Sequence, residues 1–451
     1  MQASLELARA QFGLNIGFHI LFPSVTIALA WILVFFRVRL ARTDDPVWRV
    51  SYQLWTKVFA LTFGMGVVTG VLMSFQFGTN WPGYMRTVGN VAGPLLAYEV
   101  LTAFFLEATF LAVMLFGINR VPQWLHLLST VLVAIGTTLS AFWILALNSW
   151  MQTPAGFTLE SGQIIAASWP QVIFNPSFPY RFTHMMLASG LTGSFLITGL
   201  SAWRLLQVPA DRAARSSLRT GIVIASVLAP LQIFAGDQHG LNTLEHQPAK
   251  IAAMEAAWET RTRLPLVLFA IPNEQARRND YAVEIPGLAS FILRHDVDAE
   301  VRGLADFAPD TPPVGPLFFA FRVMVGTGVL MLLAAWTGAW LTRRGVLPPR
   351  WALWAFAAMT FMGWIATLAG WLVTEIGRQP WLVTGLLRTA DAVGPVGEGS
   401  LGSSLTSYVL TYTLMLISYI VVLTHIAGKG ADVAPGADTN LAESAGSLEP
   451  Q

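Results

Sequence analysis

Ionisable and sulfur-bearing side chains interrupt the long apolar stretches of this sequence. An ionisable group inside a membrane-length apolar segment is energetically costly, so such a residue is usually retained for function. Histidine and methionine can bind haem iron, and a buried carboxylate can bind iron or carry protons. The candidates within or beside apolar segments are His19, Lys57, Glu99, Glu107, His184, Arg322, Met324 and Glu375.

One pair of these residues has the chemistry of a haem site. His184 and Met324 lie at similar depths in two different predicted helices, so they could bind the two faces of one haem. A His/Met pair gives a low-spin iron of raised potential. Buried carboxylates also serve as proton sites in transporters. These residues alone therefore leave open a redox protein and a proton-coupled secondary transporter.

Composition places most of the chain in a membrane. Of its 451 residues, 54% are hydrophobic and only 12% are charged, whereas a soluble domain is about 25% charged. A net charge of +1 indicates no nucleic-acid partner. The sequence contains no cysteine, which excludes disulfides, iron–sulfur clusters and haem attached through C-x-x-C-H.

Hydropathy predicts an all-α, polytopic membrane protein of about nine transmembrane helices. A span needs about 20 apolar residues. The segments that qualify are 14–36, 54–77, 94–116, 125–147, 183–205, 218–236, 316–341, 351–373 and 405–427. The predicted organisation is helices 1–6 in 1–236, a long loop in 237–315, helices 7–9 in 316–427 and a disordered cytoplasmic tail in 428–451.

Arginine distribution predicts the orientation of the chain. Twelve arginines lie in the short loops on one side and five on the other, which predicts an outside N-terminus and a cytoplasmic C-terminus. The 237–315 loop then lies outside. Five helices thereby place a possible iron ligand or a carboxylate in the outer leaflet.

Five motifs carry a family resemblance. They are NIGFHILFP at 15–23, EVLTAFFLE at 99–107, NSWMQTP at 148–154, FRVMVG at 321–326 and EIGRQPW at 375–381. Together they resemble subunit I of cytochrome bd-type quinol oxidases, over all nine helices in order. A further stretch, GLNTLEHQPAK, is most similar to the short-loop, cyanide-insensitive branch of that family.

The resemblance implies three haems. His184 and Met324 correspond to the axial pair of a low-spin haem b. His19 and Glu375 correspond to the single ligands of two high-spin haems, a haem b and either haem d or a third haem b. Which of these two ligands belongs to which high-spin haem stays open.

The same resemblance assigns roles around the haems. Glu99 and Glu107 correspond to carboxylates that supply protons near the oxygen-reducing haem. Arg322 resembles an arginine beside the low-spin haem, and Arg378 corresponds to a partner of haem propionates. Trp371 resembles a tryptophan beside the high-spin pair.

The loop is expected to oxidise quinol. Lys250 and Glu255 match a Lys and a Glu five residues apart in the family's quinol-binding loop. Glu255 is the candidate base for the quinol protons, and Lys250 is the candidate group that holds the quinol oxygen. The substrate is expected to be ubiquinol or menaquinol.

The resemblance implies a terminal oxidase of the bacterial inner membrane that reduces oxygen to water and generates proton motive force without pumping. Expected partners are subunit II, small single-span subunits and membrane lipid. Two alternatives stay open, a di-haem b membrane cytochrome that does not reduce oxygen and the transporter.

Overall fold

The computed structural model describes residues 2–429. Within them, nine helices are long and apolar enough to cross a membrane, which confirms the predicted fold class. In chain order they are α1 Gln2–Thr43, α2 Pro46–Thr79, α3 Pro82–Phe116, α4 Gln123–Gln152, α5 Phe178–Gln207, α6 Arg212–His246, α7 Val314–Thr342, α8 Arg350–Ile376 and α9 Glu398–Lys429.

Aspartates at short connections start two of these helices. The Asp45 side chain accepts a hydrogen bond from the Val47 N–H, and Pro46 occupies the first helical position. Asp211 Oδ1 accepts a hydrogen bond from the Ala214 N–H at 2.9 Å. Both arrangements satisfy backbone donors that a helix start leaves unpaired. Because only a few residues separate α1 from α2 and α5 from α6, the helices of each pair run antiparallel.

Helix α6 is longer than hydropathy predicts. It continues through His246, whereas the apolar run ends at 236. No proline lies between Pro230 and Pro248, so nothing breaks the backbone where the side chains become polar. The GDQHGLNTLEH stretch therefore belongs to α6, and the long loop begins about one residue before Pro248 rather than at 237.

Two short helical irregularities lie inside membrane helices. Residues Glu99–Phe104 of α3 form a π-helical stretch. Helix α8 consists of two pieces, Arg350–Ala358 and Met362–Ile376. π-helical turns are frequent at functional sites because they rotate the following side chains relative to a regular helix. In α3 this turn carries Glu99 itself.

Three long connections lie at the same end of the bundle, here called the loop side. They are residues 153–177, 247–313 and 377–397. An ion pair of 2.8 Å between Arg388 and Asp310 joins the second and third of them. The short helices of these connections are Trp169–Ile173, Pro248–Met254, Leu288–Arg294, Leu304–Phe307 and Thr389–Ala392.

The same connections contain β-structure that hydropathy does not predict. Eight short strands form four two-stranded antiparallel sheets, β1–β2, β3–β6, β4–β5 and β7–β8. The strands are β1 Phe157–Glu160, β2 Gln163–Ala166, β3 Arg261–Thr262, β4 Leu266–Asn273, β5 Arg278–Ile285, β6 Glu300–Val301, β7 Trp381–Val383 and β8 Leu387–Arg388.

The largest apolar core joins α1, α2, α5 and α9. Its fully buried side chains include Phe22, Leu33, Phe59 and Tyr419. At the C-terminus, α9 runs to Lys429, so residues 428 and 429 are helical and do not belong to the tail predicted from 428. Residues 430–451 lie outside the described part of the chain.

Candidate functional site

A row of residues along α4 contacts several of the predicted site residues in succession. The residues that make these contacts are Gly136, Ser140, Asn148 and Gln152, which are spaced by four, eight and four residues. Side chains four residues apart are neighbours on a helix surface, and because each such step turns by about 40°, the row winds gradually around α4. At 1.5 Å per residue, this row covers about 24 Å of the bundle. We call it the α4 row.

The inner half of the α4 row contacts the two carboxylates of α3. Ser140 Oγ donates a hydrogen bond to Glu99 Oε1 at 2.9 Å. A Cβ placed on Gly136 would lie only 2.5 Å from Glu107 Cγ, so the Glu107 side chain packs directly against this glycine. Glu107 Oε1 is buried without a hydrogen-bond partner in the described residues. Such an oxygen can accept or release a proton without first breaking a protein hydrogen bond.

The outer half of the α4 row contacts the groups of the loop side. Asn148 Nδ2 donates to Glu375 Oε1 at 2.8 Å. Gln152 Oε1 accepts from Lys250 Nζ at 2.8 Å. Both amides come from the NSWMQTP motif. This motif therefore connects a candidate iron ligand to the loop.

Lys250 is anchored inside the protein. Its Nζ also donates to Gln247 Oε1 at 2.9 Å and to the Thr374 carbonyl at 3.2 Å, and its side chain is only 2% exposed. Burial lowers the pKa of Lys250 well below its ordinary value, and the nearby charges of Arg181 and Arg378 act in the same direction. Three basic side chains thus surround one carboxylate, Glu375, which acts in the opposite direction.

The two arginines of this cluster have nitrogen donors that make no hydrogen bond. Arg378 Nη2 binds Glu375 Oε2 at 2.5 Å, while its Nε and Nη1 are buried without partners in the described residues. Arg181 Nε is also buried and unpaired. Unpaired guanidinium donors in a buried site favour a carboxylate ligand. The cluster therefore fits the propionates of a haem.

The low-spin candidate His184 lies against α6. Its ring centroid is 5.4 Å from that of His239, with an angle of 68° between the rings. A Cβ on Gly236 would come within 3.4 Å of His184 Cε1. His184 Nδ1 is buried without a partner among the described residues. The histidine is therefore held by ring packing and keeps its nitrogens available.

The other candidate ligands also face glycines on neighbouring helices. A Cβ on Gly370 of α8 would lie 3.1 Å from Met324 Sδ, and a Cβ on Gly70 of α2 would lie 3.1 Å from His19 Cε1. His19 Nδ1 lies 3.0 Å from Thr69 Oγ1, a hydrogen bond that fixes the ring orientation. The glycines allow the His19 and Met324 side chains to lie directly against α2 and α8, and their donor atoms are of the kinds that bind haem iron. The residues present therefore fit iron porphyrins.

Helix α8 passes through the centre of these groups. It carries Gly370 next to Met324, then Trp371, then Glu375 one turn further. Trp371 packs against an apolar cluster that contains Ile27 and Phe178. Helix α8 contacts α1, α5 and α7, the helices of the three other candidate ligands. The helices that carry the four candidate ligands are thus in contact around α8.

Arg322 has a partner that the sequence analysis did not consider. Its Nη2 lies 3.2 Å from Glu255 Oε2, and its other donors bind the carbonyls of Met254 and Val267. The guanidinium also lies 3.4 Å from the centroid of Phe318. A buried Arg keeps its charge, and here a carboxylate and loop carbonyls balance it. No haem propionate is needed for that balance.

Glu255 is more deeply buried than Arg322, with 7% of its side chain exposed against 16%. The helix Pro248–Met254 ends just before it. Burial raises the pKa of Glu255, while the charge and hydrogen bond of Arg322 act in the opposite direction. A carboxylate in such a setting is a suitable proton acceptor at neutral pH. Lys250 and Glu255 therefore contact different partners and do not face one substrate together in this conformation.

Sequence reasoning missed several residues of the site. Hydropathy does not mark His239 because the apolar run ends before it, although the absence of a proline up to 248 shows that α6 continues. Asn148 and Gln152 belong to the NSWMQTP motif, and their four-residue spacing places them next to each other on α4. Nothing in the sequence marks Arg181 as buried.

Comparisons with known proteins identify the family of this chain. A family model described as cytochrome bd terminal oxidase subunit I matches residues 7–431. The chain is 34% identical to the cytochrome bd ubiquinol oxidase subunit 1 of Bacillus subtilis, over 95% of each chain. It is 33% identical to the cytochrome bd-II ubiquinol oxidase subunit 1 of Escherichia coli, over 94% of this chain and 96% of that one.

A solved structure is similar in fold. The bd oxidase from Geobacillus thermodenitrificans superimposes with a TM-score of 0.87 and 30% identity, over 94% of this chain and 98% of that chain. Fold and site together define a polytopic membrane protein built to hold iron porphyrins. The chain belongs to the cytochrome bd terminal oxidase subunit I family.

Proposed function

We propose that this chain is the haem-bearing large subunit of a quinol:oxygen oxidoreductase of the cytochrome bd type. Two quinols and one oxygen would give two quinones and two waters, with four protons released on the loop side and four taken up from the other side. The observation that carries the proposal is the buried cluster of Glu375, Arg378, Arg181 and Lys250, which has unpaired guanidinium donors beside a candidate iron ligand. Family membership supports the same activity and does not favour the transporter or the di-haem cytochrome.

The four candidate ligands would hold three haems. His184 and Met324 would bind a low-spin haem b, and His19 and Glu375 would each bind one high-spin haem. One of these is a haem b, and the other is haem d or a third haem b. When bound, the haems supply one-electron redox centres and an open iron for oxygen. Arg378 would hold propionates, to which we add Arg181, and Trp371 would pack beside the high-spin pair.

The residues around Glu255 would handle the quinol protons. A quinol loses two protons as it loses two electrons, and a buried carboxylate of raised pKa can accept one of them. Arg322 would hold Glu255 in place and would stabilise its charged form once a proton has left. We assign Arg322 this role in addition to its position next to Met324 on the same helix.

We revise the role of Lys250. The sequence suggests that it holds the quinol oxygen, but its Nζ binds Gln152, Gln247 and the Thr374 carbonyl. These contacts support a role in fixing the loop to α4 and α8, next to Glu375. Direct contact of Lys250 with quinol would require these three hydrogen bonds to break.

The carboxylates of α3 would carry protons to the haem at which oxygen is reduced. Glu107 lies eight residues after Glu99 on α3, about 12 Å along the helix. Ser140 binds Glu99, and the unpaired Glu107 oxygen can accept a proton from the inner side. Such transfer to chemistry near the outer surface separates charge without a pump, which is worth about 2.3 kcal/mol per charge and 100 mV.

The assembly would contain further chains. The names of the matched proteins identify them as subunit 1, which implies a subunit II partner. We propose small single-span subunits in addition and a place in the bacterial inner membrane, with the loop side outside. One further relative, 30% identical, is named a putative menaquinol oxidase subunit, so the proposed substrate is ubiquinol or menaquinol.

An absorption spectrum combined with oxygen uptake tests this function. The chain is purified with its partner subunit, and spectra are taken oxidised and after dithionite reduction. We expect low-spin and high-spin haem bands and quinol-dependent oxygen uptake. A colourless preparation, made with haem supplied during expression, would contradict the proposal. Haem bands without oxygen uptake would indicate the di-haem cytochrome.

A further inference from the structure

The β4–β5 hairpin, residues 266–285, exposes apolar side chains on a loop outside the membrane helices. Phe269 and Val283 are paired across the hairpin and are 51% and 56% exposed, and Ile271 is 49% exposed. Tyr281 is 82% exposed. The opposite side packs on the protein, since Val267 and Ala270 are buried. A contiguous exposed apolar surface on a loop usually marks an interaction site.

Two contacts fix the level of this hairpin along α7. At the start of α7, Glu274 Oε1 accepts hydrogen bonds from the Val314 and Gly315 N–H groups at 2.9 and 3.1 Å. Further into the helix, Arg322 donates to the Val267 carbonyl from Nε at 2.9 Å and from Nη2 at 2.6 Å. The hairpin therefore lies alongside the first two turns of a membrane helix, with its tip at the helix start.

The length of α7 gives the depth of the hairpin in the membrane. Helix α7 has 29 residues and is about 44 Å long at 1.5 Å per residue. The hydrocarbon core is roughly 30 Å thick, so about 7 Å of a centred α7 extends into the headgroups at each end. Arg322 lies eight residues, about 12 Å, from the helix start. Residues between Val267 and Glu274 therefore lie around the boundary of headgroups and acyl chains.

The side chains of the hairpin change from charged to apolar with increasing depth along α7. Its tip, residues 273–278, reads NEQARR, while Phe269, Ile271 and Val283 lie further down. An exposed tyrosine such as Tyr281 is typical of the membrane interface. Helix α7 continues the apolar surface with the exposed Val323. A two-stranded sheet has unpaired backbone edges that cannot enter hydrocarbon, so the hairpin can lie in the headgroup region but no deeper.

The hairpin also borders the proposed quinol site. Arg322 joins the Val267 carbonyl to Glu255. In β5, Asn279 accepts a hydrogen bond from Trp258 Nε1 at 2.9 Å and donates to the Ala256 carbonyl at 3.1 Å. Both strands are thus tied to the segment that contains Glu255.

We propose that the β4–β5 hairpin lies in the headgroup region of the loop-side leaflet, with Phe269, Ile271 and Val283 in contact with lipid, and that lipid-dissolved quinol passes along this surface to Glu255. The first half of this inference concerns lipid contact alone. The second half rests on the proposed function. An apolar surface at this level allows a long-tailed quinol to approach Glu255 without its tail entering water.

Site-specific fluorescence tests the lipid contact. The chain has no cysteine, so, once any cysteines of the partner subunits are replaced by serine, the single variants Ile271→Cys and Val283→Cys can carry one environment-sensitive label each in the complete complex, in liposomes. Arg277→Cys at the charged tip is the control. We expect a quencher attached to lipid acyl chains to quench labels at 271 and 283 several-fold more than at 277, and iodide to show the reverse order. Equal iodide quenching at all three positions would overturn lipid contact, as would labels at 271 and 283 shielded from both quenchers by a partner subunit.

Kinetics test the path to Glu255. Ile271→Ser is compared with Arg277→Ser in liposomes. We expect Ile271→Ser to raise the KM for a long-tailed quinol several-fold, with kcat, haem spectrum and the KM for a short-tailed analogue unchanged. An unchanged KM for the long-tailed quinol would overturn the path. Absence of quinol oxidation in the unmodified complex would instead overturn the proposed function and would leave the fluorescence result standing.

Discussion

At the scale of the residue, buried polar groups in the described part of this chain are of two kinds. Some have protein partners, as Glu375 has in Asn148 and Glu99 has in Ser140. Others have buried atoms without partners, as in Arg181 and Arg378. Burying a polar group without a partner is costly. The unpaired guanidinium atoms beside Glu375 therefore fit a position where a prosthetic group supplies the missing partners.

Removing either low-spin ligand has a specific expected result. His184→Ala or Met324→Leu should remove the low-spin haem signal and spare the high-spin signals, because the other candidate ligands lie on other helices. Reduced-minus-oxidised absorption and electron paramagnetic resonance measure this. His239→Phe, which keeps an aromatic ring against His184, serves as the matched control and should keep low-spin haem. Survival of the low-spin signal in both ligand variants would refute the pairing.

The Arg322–Glu255 pair should set the pH dependence of quinol oxidation. Burial raises the pKa of Glu255 and the Arg322 charge lowers it. A base works only when deprotonated, so the rate should rise as pH rises through this pKa. Arg322→Gln removes the lowering influence and should shift the rising limb to higher pH. It should also destabilise the fold by about 3–5 kcal/mol, since one buried charge loses its partner.

Arg322→Lys is the control for that prediction. It keeps a positive charge near Glu255 and should leave the rising limb closer to that of the unmodified enzyme. Steady-state rates between pH 5 and 9, measured with saturating quinol, give the comparison. Identical pH profiles for Arg322→Gln and the unmodified enzyme would show either that Glu255 does not accept the quinol proton or that Arg322 does not influence its pKa.

At the scale of the element, α4 connects parts of the site that are distant in sequence. The α4 row contacts Glu107, Glu99, Glu375 and Lys250 in order along the helix. A rigid helix holds these groups at fixed separations, which the flexible loops could not do. Small substitutions in the α4 row should therefore change oxidase activity without changing haem content.

Gly136→Ala tests the contact of α4 with Glu107. The added methyl would lie 2.5 Å from Glu107 Cγ, so the Glu107 side chain must move. We expect oxygen uptake to fall several-fold while the haem spectrum is retained. Gly93→Ala on α3, where the added methyl meets no atom within 4 Å, is the control and should keep full activity. Equal activity in both variants would argue against proton transfer through Glu107.

The loop should be separable from oxygen reduction. Proteolysis within 261–300 cuts β4, β5 and their ties to the Glu255 segment. It should abolish quinol oxidation and spare oxygen uptake from an artificial donor that bypasses the quinol site. Oxygen-electrode measurements with both donors, before and after cleavage, distinguish the two activities. Parallel loss of both activities would contradict a specific role of the loop in quinol binding.

At the scale of the whole molecule, the groups proposed for chemistry lie toward one side. Lys250, Glu255 and Glu375 lie at or next to the loop side, and Glu107 is the deepest of the carboxylates. If the loop side faces outward, quinol protons leave outside and the protons for water must cross most of the bundle. Energy conservation in this protein thus depends on orientation.

Orientation can be measured with the same cysteine-free background. Arg277→Cys lies in the hairpin tip, and Arg343→Cys lies just after α7 at the opposite end. In intact cells of a bacterial host, a membrane-impermeant thiol reagent should modify position 277 and should reach 343 only after the membrane is opened. Modification in the reverse order would invert the proposed direction of charge separation.

The sequence by itself determined the membrane class, the approximate spans and the family, and it supplied the candidate ligands. These follow from local properties, because hydropathy and motif residues can be read one segment at a time. Only the tertiary structure decided that Arg322 pairs with Glu255, that Lys250 anchors the loop, and that His239 contacts His184. Such pairings depend on which faces of distant helices meet, and that is set by packing of the whole bundle rather than by any single segment.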